Sequence, residues 1–430
     1  MKKLLTYFSI VVILLFTFSV FGWVIKEVTL GRSPFGDRVN YYLDTYVSFL
    51  DLFEESVEEV KTLPRTFVPT PQDFERVNKL EEPLYALISY TSKKKERTVE
   101  IRDLASDSVF HQWKIANPFE AHDRIMDPLL LPNKSLCFSY NGKTGLTKLD
   151  SAGNVLWKQD QIAHHHSLNV DSAGHIWACS YTREKDSSFI IFKGRYELDS
   201  REIFFIDNTI SRLHAETGEV LFHKSITEIL KENGLSNLLL KSDKGDDPIH
   251  LNDVQPALKT TPYYQEGDLF LSFRNLSAIL HYRPETNKVL QVLEGMFYSQ
   301  HDVDFLNDSV IYFFNNNAHT LWVDRSFSYL VSPERLEAGN FHSNVITYDL
   351  KNQRYSYLYK EAFGENQIYT YTEGMSEMLN DSLLFVEEQN SGILWVLKNQ
   401  EVVYKNALPS QHAGHHHLPN WTRILHNYKP

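Results

Sequence analysis

The stretch from Ile249 to Asn316 decides the fold. It reads IHLNDVQPAL (249–258), then DLFLSFRNLSAILHY (268–282), then QHDVDFLNDSVIYFFNN (300–316). Each piece sets a polar residue against a run with strand character: His250 before one, Arg274 at the end of the next, His301 at the head of the third. Positions far apart in sequence but equivalent in phrase are what a closed ring of similar blades brings to one central point.

Working outward, the same phrases recur. LTKLDSAGNVLWKQ (146–159), ISRLHAETGEVLFHK (210–224), ILHYRPETNKVLQVLEG (279–295) and VITYDLKNQRYSYLYK (345–360) each read as two strands around a tight polar turn. A second phrase has a polar head, an apolar pair, a turn and a strand. It appears as DPLLLPNKSLCFSY (127–140), HSLNVDSAGHIWACSY (166–181), HDVDFLNDSVIYFFN (301–315) and SEMLNDSLLFVEEQ (376–389). Two alternating hairpin phrases predict four-stranded blades, and the count between about 84 and 408 fits a six-bladed β-propeller better than an array of sandwiches. Aromatic residues make up 13% of the 430, with 23 Tyr and 27 Phe, which suits side chains filling pleated, half-buried surfaces.

Upstream the texture differs. Lys2 and Lys3 precede an uncharged run of 22 residues, Leu4 to Ile25. A run of about 20 residues can cross the bilayer hydrocarbon, and no small-x-small cleavage triplet follows it. The expectation is an uncleaved anchor over 1–26, with the lysines inside and the rest on the extracytoplasmic, periplasmic side. Residues 37–63 carry apolar positions at helical spacing and predict a stalk helix. Pro64, Pro69 and Pro71 mark a linker, so 27–83 reads as stalk and linker and 84–430 as the propeller.

Composition sets further bounds. A net charge of −12 without a basic cluster argues against a nucleic-acid partner. Cys137 and Cys179 stand in apolar surroundings without a CxxC partner, which favours two buried thiols over a disulfide or a metal site. His412, His415, His416 and His417 admit a metal site, a place at the channel rim, or an exposed closing segment. Glu373 and Glu377 flank the start of the last inner strand and read as channel polarity or a general base.

The candidate site follows from the ring. The innermost strand of each blade lines the channel, so His164, His165 and His166, then His250, Arg274 and His301, converge at one mouth. Arg offers a fixed fork of donors for an oxyanion. His can donate to oxygen, take a proton near neutral pH, or act as a covalent nucleophile. An anion site is the reading; a satisfied polar plug in the channel is its alternative.

These phrases resemble the bacterial arylsulfotransferase family of six-bladed propellers. His165-His166-Ser167-Leu168 is similar to the family's HHD-I, with Ser167 in place of the acid. Ile249-His250-Leu251-Asn252-Asp253 resembles its W-x-H-x-N phrase, Ser272 to Ile279 its S-x-R-x-x-S-A-I phrase, and Tyr298 to His301 its Y-x-Q-H phrase. The resemblance implies transfer of a sulfuryl group from an aryl sulfate donor to a phenolic acceptor. His301 would be the nucleophile, passing through a transient sulfohistidine. His250 and Arg274 would hold sulfate oxygens, and His165 or His166 would supply a further donor or proton relay. No cofactor or metal is required. The reading from another class is a non-catalytic, membrane-anchored propeller that binds an anion or a protein in the same funnel. A quinone dehydrogenase propeller is disfavoured for want of tryptophan-docking repeats.

Overall fold

The computed structural model describes residues 2–29, 63–120, 123–182, 194–198, 201–242, 244, 246–318, 342–426 and 428–429. It divides into two units, Met1–Pro64 and Arg65–Pro430. In the first, residues Lys2–Thr29 form one α-helix. Within it Tyr7–Val24 is long and apolar enough to cross a membrane, a property that an anchor and a signal sequence share. The stalk helix expected over 37–63 lies, but for its last residue, outside the described residues.

The second unit is a mainly-β propeller. Among the described residues five of its sheets have four antiparallel strands, one has seven, and one, Gly194–Leu198 with Arg201–Phe205, has two. Each of the two sequence phrases is a hairpin as expected. Ile162–Val170 pairs with Ile176–Thr182, and Asn208–Leu213 with Val220–Ser225; together they make one blade. Leu251–Pro256, Leu269–Phe273, Ala278–Arg283 and Lys288–Leu293 make the next. Burial explains their composition. Leu269–Phe273 is buried at every position because both of its faces pack on neighbouring blades, so it reads as a continuous apolar run. Lys288–Leu293, outermost in the same blade, begins by alternating exposed and half-buried residues.

Six blades were the expectation; five regular four-stranded ones are present among the described residues, and the seven-stranded sheet departs from the repeat. Met375–Asn380, Leu383–Glu388, Ile393–Lys398 and Glu401–Pro409 are extended by His415–His417 and Phe67–Pro69, while Val77–Asn78 also pairs with Glu401–Pro409. Two of these added strands come from the Pro-rich stretch read as linker, so the β-unit begins well before residue 84. Strands of two or three residues carry no period to be read, and they cover an edge that would otherwise be open.

The cores lie between blades. One cluster joins Trp177, Cys179 and Ile210 of one sheet to Ile249, Leu251 and Leu271 of the next; another joins Phe270 and Ile279 to Val303 and Phe313. Each fully buried side chain of this kind contributes about 1.5–3 kcal/mol. Cys137 and Cys179 are both buried free thiols. Near the C-terminus, Arg423–Ile424 pairs with Tyr85–Lys93 and becomes the innermost strand of the first sheet. That joins the two ends of the β-unit.

Candidate active site

The inner strands are not regular. Pairing slips between His165 and Leu168, between Leu251 and Asp253, and between His301 and Val303. These are β-bulges, which re-aim side chains and free backbone groups. His166 (φ 53), His250 (φ 50) and Asp302 (φ 57) sit at or beside them in the left-handed region, where non-glycine residues are uncommon.

Each freed N–H is taken by a side chain of the preceding blade. Leu168 N donates to Asp127 Oδ2 at 2.8 Å, Val254 N to Ser167 Oγ at 3.1 Å, and Val303 N to Asp253 Oδ2 at 2.8 Å; Ser376 N, in a regularly paired stretch of its strand, likewise donates to Asp302 Oδ2 at 2.7 Å. Glu387 accepts from Trp421 N and Thr422 N at 2.8 and 2.7 Å. Ser167, the departure from the HHD phrase, therefore occupies the latch position that Asp253 and Asp302 hold in the next two blades.

The bulges bring the predicted residues together. His166 lies 5.1 Å from His250 and 6.3 Å from His301, measured between ring centroids. His165 hydrogen-bonds His166 Nδ1 to Nδ1 at 2.7 Å and stacks on Tyr181 at 3.9 Å. Of the two, His166 is the one among the other rings, and His165 backs it. His164 turns away to Ser211 Oγ, 3.1 Å distant.

His301 is fully buried. Its Nδ1 faces two oxygens, Asn316 Oδ1 at 2.6 Å and Ser299 O at 3.0 Å. The Asn316 amide is oriented by its own Nδ2, which donates to Thr370 O at 2.8 Å. Two acceptors at Nδ1 require the proton there, which leaves the lone pair on Nε2. Nε2 has no hydrogen-bond partner among the described residues. Burial first, and then the Arg274 charge, hold the ring neutral down to about 3. A neutral imidazole with its Nε2 lone pair unengaged is a nucleophile.

His250 is held differently. Its Nδ1 donates to Asp247 Oδ2 at 2.5 Å, and Asp247 is kept charged by His250 against the opposing effect of burial. This pairing presents the other ring nitrogen, as a carboxylate-oriented base does. Arg274 follows strand Leu269–Phe273 in a single 3-10 turn. Its guanidinium donates to Asn275 Oδ1 at 2.9 Å and to the carbonyls of Tyr371 and Thr372 at 3.3 and 3.4 Å.

Several residues of the site were not singled out from the sequence. Asn316 lies in an unremarkable Asn315-Asn316-Asn317 run. Asn252 is buried, with Nδ2 on Gln300 O at 2.7 Å and Oδ1 without a partner among the described residues. Arg124 pairs with Glu373, whose carboxyl is kept down at about 2, Arg124 overcoming the upward effect of burial. Glu373 is thus a poor base at neutral pH. Trp421 places its ring 5.9 Å from both His166 and His301. Only the His-x-Asn spacing of Asn252 offered a local signal; Asn316 depends on the register of its hairpin with His301, and Arg124 and Trp421 on segments that meet across the ring.

Other candidates fall outside the site. Glu377 binds Ile424 N at 3.2 Å and His426 at 2.5 Å. The His412–His417 segment is not an exposed tail: His416 and His417 are buried, bonded to Thr70, Ser391 and Thr91. No group of three or more metal-ligating residues is found among the described residues.

Residues 127–406 match the sequence profile of the family described as Arylsulfotransferase (ASST), and the chain belongs to that family. The family's description names sulfotransferases, the class that the resemblance in the sequence implies. No curated protein matches. Among solved structures, a protein of unknown function from Bacteroides caccae is similar at 11% identity and a TM-score of 0.48, covering 80% of this chain and 99% of the other. Apo AztD from Citrobacter koseri is similar at 8% identity and a TM-score of 0.38, covering 80% and 98%.

Proposed function

We propose that the chain transfers a sulfuryl group from an aryl sulfate ester to a phenolic acceptor, with His301 as the covalent carrier. The observation that carries this reading is His301 itself: buried, neutral, fixed in one tautomer, with Nε2 unengaged beside other imidazoles and within the field of Arg274. In the first step the Nε2 lone pair attacks sulfur, an N–S bond forms, the S–O bond to the aryl group breaks, and the phenolate leaves. In the second the acceptor oxygen attacks sulfur, the N–S bond breaks, and the acceptor's proton passes to a base. His250, oriented by Asp247, suits that role, and once it carries the proton it holds a sulfate oxygen together with Arg274. His166, with His165 behind it, supplies a further donor. Such transfer needs positioning and stabilisation of spread negative charge more than new protein chemistry.

In this reading the seven-stranded sheet fills the sixth place of the ring. The N-terminal helix anchors the chain with the β-unit outside the cytoplasm. The test uses the full-length chain in detergent with a chromogenic aryl sulfate and a phenol. Release of chromophore by wild type and its loss in His301→Asn supports the reading; equal rates in both sink it.

A further inference from the structure

The family match ends at residue 406, yet the chain beyond it reaches the centre of the site. Trp421 is 2% exposed and its ring meets His166 and His301 edge to face. Its indole Nε1–H has no acceptor among the described residues. A buried donor left unmade costs about 1–3 kcal/mol, so such groups are kept where something other than the fold uses them.

The backbone is built to hold the ring there. Trp421 takes φ 59, a conformation costly for a bulky residue. Both Trp421 N and Thr422 N are clamped by the Glu387 carboxylate, and Asp127 N donates to the carbonyl of Asn420 at 3.1 Å. Two residues on, Arg423 pairs with Asp127 Oδ1 and with Leu168 O at 2.6 and 2.7 Å. A strained residue gripped from three blades is over-determined. The side chain so fixed also lines a cavity of about 250 Å³ beside Asp253, Asp302 and Glu377. It stands between that acidic space and the imidazoles.

We propose that Trp421 is a substrate-contacting residue: its indole floors the site and its N–H donates to an oxygen of the bound sulfate ester. This rests on the sulfuryl-transfer reading above. A rigid donor with no charge suits an oxygen whose negative charge grows during transfer, and a ring beneath the histidines excludes the water that would hydrolyse a sulfohistidine.

The test follows the indole N–H resonances of full-length chain labelled at tryptophan Nε1, of which there are seven. Trp421→Phe identifies the Trp421 signal, and Trp421→Tyr does so if the first variant fails to fold. Adding inorganic sulfate or 4-nitrophenyl sulfate to wild type shifts that signal and leaves distant ones in place. Turnover by Trp421→Phe falls about 10- to 100-fold in kcat, with KM for the donor changed by less than about threefold. Active wild type with an unmoved Trp421 signal and an unimpaired Trp421→Phe overturns the inference and leaves the transfer reading standing. Inactive wild type fails the transfer reading instead; the sulfate titration alone then decides whether Trp421 contacts an anion.

Discussion

At the residue scale, the proposed transfer turns on which nitrogen of His301 carries the proton. Asn316 sets this by accepting from Nδ1 while Thr370 fixes its amide. Replacing Asn316 by Leu removes one of the two acceptors and the restraint on the ring. A nucleophile in the wrong tautomer or orientation loses turnover rather than binding, so kcat should fall by about 10²-fold or more with KM little changed. Steady-state kinetics of Asn316→Leu check this; a variant that raises KM alone would assign Asn316 to substrate binding. The sequence showed His301 because it heads a repeated phrase. It did not show Asn316, 15 residues away on the continuation of the strand paired with its own, because the hairpin's register and the bulge after His301 decide which residue meets the ring.

At the scale of elements, the bulges create the site and the latches pay their energetic cost. Each bulge frees an N–H, and an unmet N–H in the interior costs about 1–3 kcal/mol. Ser167→Ala removes the acceptor of Val254 N. It should lower stability by about that amount in chemical denaturation, against a negligible change if the N–H finds another partner. The hairpins themselves were legible, since turns such as Asp150–Gly153 and Pro284–Asn287 interrupt apolar runs at a steady interval. The bulges were not: a one-residue slip leaves the composition of a strand unchanged. The short added strands, Phe67–Pro69 and His415–His417, were missed for the complementary reason that proline and clustered histidine read as linker and tail.

For the β-unit as a whole, closure and buried charge dominate. Arg423 sits on the closing strand and holds Asp127. Removing one partner of such a pair leaves the other charge stranded, so Arg423→Leu should cost about 3 kcal/mol or more, and the double variant with Asp127→Asn less than the sum. Denaturation of the single and double variants measures this coupling. The channel also holds carboxyls that burial drives upward, Asp253 to about 7 and Asp304 to about 8. A folded-state value above the unfolded one means that the native state binds the extra proton. Stability from that proton is full below the unfolded value, near 4, and is lost as pH rises toward about 8. Asp304→Asn should therefore gain on wild type progressively across this window, as seen in unfolding midpoints taken at several pH values. A gap that stays constant with pH would show that Asp304 is charged in the folded protein. Propeller class and the convergence of His166, His250 and His301 could be read from repeated phrases. The extra strands of one sheet and the inward reach of Trp421 come from ends of the chain that do not repeat.

The most direct measurement mixes full-length protein with 4-nitrophenyl sulfate and no acceptor, then takes the intact mass and maps the modified peptide. One SO₃ added per chain on the peptide bearing His301, with a matching burst of nitrophenolate and neither in His301→Asn, is the predicted result. Turnover that proceeds without any covalent adduct, or an adduct that persists in His301→Asn, would contradict it.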